Sequence, residues 1–101
     1  FFSAEGSDGY KGQQSGRTFL RQAAWKLDNG ASDATHFCAM AKKLVTDMGS
    51  KVANDCLQLH GGYGYLADYG IEKTVRDLRV HQILEGTNEI MRVIVARGLN
   101  S

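Results

Sequence analysis

Proline is missing from the 101 residues, where roughly five per hundred is usual. Interior proline removes a backbone donor and clashes with the preceding turn, so its absence fits a chain built mostly of long helices. Cysteine is scarce, with Cys38 and Cys56 alone. If one helix holds both, they stand about 27 Å apart along its axis, and a disulfide needs Cα atoms within about 7 Å. They cannot pair with each other, which fits a reducing compartment. Neither shows CxxC or Cys/His spacing, so both read as small core residues. Nor is there an excess of one charge. The formal net charge is +1 with both signs interspersed, so no basic stripe argues for nucleic acid and no acidic tail for a solvating arm. No apolar run is long enough to span a bilayer. The opening FFSAEGSDGY lacks the basic flank and apolar centre of a secretory signal. A chain opening on Phe1 rather than Met is expected to be a fragment, a processed product or a trimmed form.

What is present supports one small all-α domain. Hydrophobic residues make up 43% of the chain, enough for a packed core. Residues 1–16 scatter Gly6, Gly9, Gly12 and Gly16 among polar residues and read as a mobile lead, from which Phe1, Phe2 and Tyr10 can dock on a partner. Leu20, Ala23, Ala24 and Leu27 then predict a helix over 17–28, stopped near Gly30. Phe37, Met40, Ala41, Leu44, Met48, Val52, Cys56 and Leu59 form a stripe of period 3.6 and predict a long helix over 33–60, capped by Ser32 or Asp33 and ended by Gly61. The glycine- and tyrosine-rich HGGYGYLADYG is a loop. Further helices are predicted over 71–83 and 88–98, the second capped by Thr87 with Glu89 in its first turn and Arg97 in its last. No strand pattern or internal repeat occurs.

Two stretches carry candidate chemistry. In HQILEGTNEIMR, Glu85 sits between an apolar run and Gly86, just before a helix start. A lone Glu beside a Gly is ordinarily a solvated turn residue. A general base must be rigid, shielded and poised near its working pKa. The helix start favours the ionised carboxylate and burial under an apolar substrate opposes it. Spacing alone leaves that balance open. The free N–H groups over Glu85–Glu89 also form a site for an anion or carbonyl. The second stretch, QLHGGYGY, is either a plain connection or a backbone nest around a phosphate or cofactor edge. It follows no strand, so it is not a Rossmann fingerprint. His36, His60 and His81 show no i, i+4 ligand spacing, and no metal site is expected.

Together, LQLHGGYGYLADYGIEKTVRDLRVHQILEGTNEIMRVIVARGL resembles the C-terminal end of acyl-CoA dehydrogenases, FAD-dependent enzymes that desaturate acyl-CoA thioesters. The likeness covers residues 57–99 and runs back to about 21. HGGYGY followed by LEGTNE makes it specific, and the tyrosine-rich loop leans towards short- or branched-chain members. The resemblance implies that Glu85 falls on the base that takes the α-proton while the flavin accepts the β-hydride. It implies that Gly86 and Arg97 contact substrate and that Thr87, Asn88 and Glu89 contact FAD. Gln58, Leu59, His60, Gly61 and Gly62 fall on a segment that meets the FAD of a neighbouring subunit. It further implies an electron-transfer flavoprotein as partner, and a cytoplasmic (bacterial) or mitochondrial matrix setting. Residues 1–20 do not resemble the family's flavin motif, so residues 17–101 are expected to form a partial C-terminal domain. Catalysis by this polypeptide alone is not expected, and its uncovered apolar stripe predicts self-association. The alternative is a helical oligomerisation or binding module that kept the fold and lost the chemistry.

Overall fold

In a computed structural model of the chain, residues 2–100 are described, with side chains from Tyr10 to Asn100; Phe1 and the Phe2 side chain, two of the three docking candidates, lie outside them. Helix α1 spans Phe2–Asp28 and α2 spans Ala34–His60. Two 3-10 turns follow, Gly61–Tyr65 and Ala67–Tyr69. Helix α3 spans Ile71–His81 and α4 spans Asn88–Leu99. No strand occurs among the described residues, so the all-α expectation holds.

Helix α2 is the spine. Among the described residues, α1 and α4 each pack on α2 alone, while α3 packs on α2 and on the two 3-10 turns. The result is elongated, 48 × 26 × 22 Å with a radius of gyration of 15.7 Å, against about 13 Å for a compact domain of this length.

The helix expected over 17–28 extends back to Phe2. The reason lies in contacts that composition does not reveal. Gly16 is buried and Gly12 half-buried. A Cβ on Gly12 would come within 2.7 Å of the Met48 sulfur, so the missing side chain lets α1 approach α2 closely. The buried face of α1 also differs from the one its leucines suggest. Ala23 is buried at 2% exposure, whereas Leu20 is 52% and Leu27 65% exposed. The contact face is instead carried by Gly12, Gly16, Phe19, Ala23 and Lys26, which recur at helical spacing.

At the α1–α2 end of this face the rings of Phe19 and Phe37 stack with centroids 4.6 Å apart. The Lys26 ammonium lies 4.9 Å from the Phe37 centroid and pairs with Asp33 at 2.9 Å. Asp33 precedes α2 as expected, yet its side chain caps no backbone N–H; the carboxylate is taken by Lys26 instead. That hydrogen bond holds the Asp33 carboxyl below its usual range. The other end of α2 closes as expected on Gly61 at φ +64°.

Replacing Phe37 removes the ring stack and the cation contact together. Phe37→Ala should lower unfolding stability by about 2–3 kcal/mol, below the full core value because the ring is half-buried. Urea denaturation with an unchanged midpoint would refute this account of the α1–α2 seam.

Candidate functional site

Six residues, 82–87, connect α3 to α4. The chain leaves α3 through turns in which the amides of Ile83 and Leu84 both donate to Val80 O, at 2.9 and 3.0 Å. It then reverses. Glu85 has φ +58° and Gly86 φ +90°. Gly86 adopts this region freely; for Glu85 it costs on the order of 1 kcal/mol or more. Thr87 then caps α4, its hydroxyl accepting from Ile90 N at 3.3 Å, and Glu89 sits in the first turn.

The bend is fastened to α2 by a polar cluster. Asn88 is the one buried polar residue among those described, 5% exposed. Its amide nitrogen donates to Asp47 Oδ1 at 2.5 Å and Thr46 Oγ1 at 2.9 Å. Its oxygen accepts from Lys42 Nζ at 2.6 Å, which also donates to Gly86 O at 2.8 Å. Gln82, at the other end of the loop, donates to the same Asp47 Oδ1 at 2.8 Å. The Asn88 backbone N–H closes the loop onto Gln82 O at 3.0 Å. Lys43 pairs with the second Asp47 oxygen at 2.9 Å. Burial works to raise the Asp47 carboxyl, but the hydrogen bonds from Lys43, Gln82 and Asn88 outweigh it and hold it below its ordinary 3.8.

Two groups remain for chemistry. The Glu85 side chain is exposed. The amides of Glu85, Gly86 and Thr87 have no acceptor among the described residues. A carboxylate and unpaired N–H donors thus share one bend at the start of a helix. Both donors of the Asn88 side chain, by contrast, are already committed.

The other expected site residues lie elsewhere. Gln58, Leu59, His60, Gly61 and Gly62 are exposed at the far end of α2, roughly 28 Å along its axis from Lys42. The His60 ring bonds Cys56 O at 2.8 Å, and a Cβ on Gly62 would meet nothing within 4 Å. Arg97 is exposed in the last turn of α4, roughly 15 Å of rise from Thr87. The structure therefore brings Glu85, Gly86, Thr87, Asn88 and Glu89 together and leaves the glycine segment and Arg97 apart from them. An apolar cleft of about 490 Å³ between α1, α2 and α3 is lined by Leu20, Val45, Met48, Val52, Cys56 and Leu78 among others, and no residue of the bend lines it. Among the described residues no group of three or more His, Cys, Asp or Glu could hold a metal ion, and no helix is long and apolar enough to cross a membrane.

The sequence reading missed Lys42, Asp47 and Gln82. A usable signal exists for the first two: both charges lie close to the apolar stripe of α2, beside Ala41 and Met48.

Residues 12–100 match the family described as "Acyl-CoA dehydrogenase, C-terminal domain". The chain belongs to the acyl-CoA dehydrogenase family. It is 51% identical over 83 residues to the mitochondrial isobutyryl-CoA dehydrogenase of Bos taurus, covering 82% of this chain and 20% of that protein. The butyryl-CoA dehydrogenase of Megasphaera elsdenii superimposes with a TM-score of 0.92 at 29% identity, covering 98% of this chain and 26% of the other. PigA, solved as its FAD complex, superimposes with a TM-score of 0.91 at 28% identity, covering 97% of this chain and 25% of the other. The chain spans about a fifth of the length of the curated relative it matches. The family match begins at residue 12, earlier than the resemblance read from the motifs.

The Asp47 cluster makes a pH prediction. A carboxyl held below its ordinary 3.8 lends stability that is fully present above that value and is lost as pH falls through the lowered one. Urea unfolding should therefore show stability declining below pH 3.8, and Asp47→Asn should flatten that decline while costing about 1–3 kcal/mol at pH 7. Thr87→Ala should cost about 1 kcal/mol through loss of the cap, read from the same denaturation curves.

Proposed function

We propose that this chain is the C-terminal part of a FAD-dependent acyl-CoA dehydrogenase in which Glu85 takes the α-proton of the thioester. The observation that carries the reading is the bend itself: a carboxylate held in a left-handed conformation beside three unpaired amides at the start of α4. A base needs a fixed position relative to the proton it removes. The polar cluster on α2 supplies that fixity. The neighbouring N–H donors suit a thioester carbonyl, whose polarisation makes the α-proton more acidic. Glu85 is open to water in the chain by itself, so the reading requires substrate and cofactor to cover it, excluding water and weakening the hydration that favours the carboxylate.

The donor set suits a flavin edge at two places. Thr87 and Glu89 lie at the start of α4, with Asn88 holding the bend from beneath. The segment Gln58–Gly62 is open enough for close backbone approach at Gly62. Because these places lie roughly 28 Å apart along α2, the second serves a flavin held mainly by a neighbouring copy. When bound, FAD supplies the acceptor for the β-hydride. Gly86 and Arg97 would contact the acyl-CoA, and an electron-transfer flavoprotein would receive the electrons. The isobutyryl-CoA and butyryl-CoA for which two relatives are named favour a short or branched acyl group, and a mitochondrial matrix or bacterial cytoplasm is the corresponding setting.

Self-association is part of the same reading. Tyr10, Trp25 and Leu27 on α1 are each more than 60% exposed, and covering such surface stabilises an assembly. That exposed surface is also what favours the second reading, a helical oligomerisation module without chemistry.

The test replaces the matching segment of the cattle isobutyryl-CoA dehydrogenase with residues 12–100. The chimera should retain the flavin spectrum and oxidise isobutyryl-CoA. Glu85→Gln should keep the flavin and reduce kcat by about 10²–10⁴-fold. Undiminished turnover in that variant removes the base assignment, and a chimera that takes up no FAD favours the module.

A further inference from the structure

The conformation of Glu85 needs a cause. Its φ of +58° is followed by +90° at Gly86, and two successive left-handed residues are unfavourable when the first carries a side chain. Such a conformation persists only where its surroundings over-determine it. The two ends of the loop are fixed: Gln82 and Asn88 both donate to Asp47 Oδ1, and the Asn88 N–H closes onto Gln82 O. These contacts fix where the loop begins and ends. They leave the middle free, because Gly86 can rotate among several conformations at little cost. The amides of Ile83 and Leu84 bond back to Val80 O on the α3 side, and beyond them one side-chain hydrogen bond reaches the Glu85–Gly86 pair. The ammonium of Lys42, half-buried on α2, donates to Gly86 O at 2.8 Å and is itself steadied by Asn88 Oδ1 at 2.6 Å.

We propose that Lys42 is the positioning residue for Glu85, its bond to the Gly86 carbonyl locking the bend in the left-handed form that presents the carboxylate. With both ends pinned, the torsions between them are not independent. Fixing the Gly86 carbonyl removes the remaining rotation and, through loop closure, sets the backbone of Glu85. A charged donor suits the task, since charge-assisted hydrogen bonds are roughly twice as strong as neutral ones. Lys42 belongs to α2, so the restraint is tied to the helix on which every other helix packs.

The positional claim rests on the bend alone; its consequence for turnover rests on the reading of Glu85 as the base. The experiment separates the two. In the unmodified 101-residue chain, NMR should show a nuclear Overhauser contact between the Lys42 ε-protons and the Gly86 α-protons, and Glu85 Cα shifts and HN–Hα coupling of a left-handed residue. In Lys42→Met, which keeps the apolar stem, those Glu85 signals should leave left-handed values. The Asn88 amide should exchange at least about tenfold faster, with helical circular dichroism retained. Lys42→Arg, which keeps a charged donor, should recover part of the protection. Wild-type Glu85 signals and Asn88 exchange in Lys42→Met overturn the proposal. If that variant does not fold, the missing Overhauser contact in the unmodified chain overturns it and its presence supports it. In the chimera, Lys42→Met should lower kcat about tenfold or more with KM for isobutyryl-CoA within about twofold, as displacement of a catalytic group does. Loss of turnover in the parent chimera with intact NMR signatures would remove the catalytic reading and leave the positional one standing.

Discussion

Every other helix of this chain depends on α2. Helices α1 and α4 touch no other helix among the described residues, and α3 adds only the short turns that α2 itself leads into. The demand on α2 is therefore unusual for its length. One side must accept glycine and alanine of α1 at close range. Another must offer Lys42, Thr46 and Asp47 to the α3–α4 bend. The rest is apolar. A helix can serve several neighbours in this way because its 3.6-residue period sends successive side chains to different sides.

The site is correspondingly a product of α2 rather than of the loop that carries the acid. Glu85 receives no side-chain contact that would fix it directly. Its position follows from the bonds of the Gly86 carbonyl and the Asn88 side chain, and those bonds lead to α2. Two interactions of opposite sense meet at Asp47, where burial disfavours the charge and three donors restore it. The donors win, so the loop is anchored on a carboxylate that stays ionised over the neutral range.

The helices were legible because their signals are local. Missing proline, the long apolar stripe of α2, Gly61 at its end and Thr87 at the start of α4 each act within a turn of chain. The motif order gave the family. What was not legible was tertiary. Leu20 and Leu27 set a periodicity for α1 yet stay more than half exposed, because the close approach to α2 centres on Gly12, Gly16 and Ala23, with Phe19 and Lys26 beside them. The glycines of residues 6–16 read as a lead when some of them are packing surface. The left-handed backbone of Glu85 had no signal of its own, since it results from contacts with residues some forty positions earlier in the chain. Asn88 looked like a ligand contact by motif, and its side chain turned out to be committed within the protein.

The sharing of one Asp47 oxygen by Gln82 and Asn88 has a dynamic consequence. Two tethers that end on separate atoms can release one after the other, giving a loop that frays by degrees. Tethers that converge on a single atom lose their anchor together when that atom moves. A movement of Asp47 therefore loosens both ends of the α3–α4 connection at once, leaving the bonds of Asn88 to Thr46 and of Lys42 to Gly86 among its remaining holds on α2.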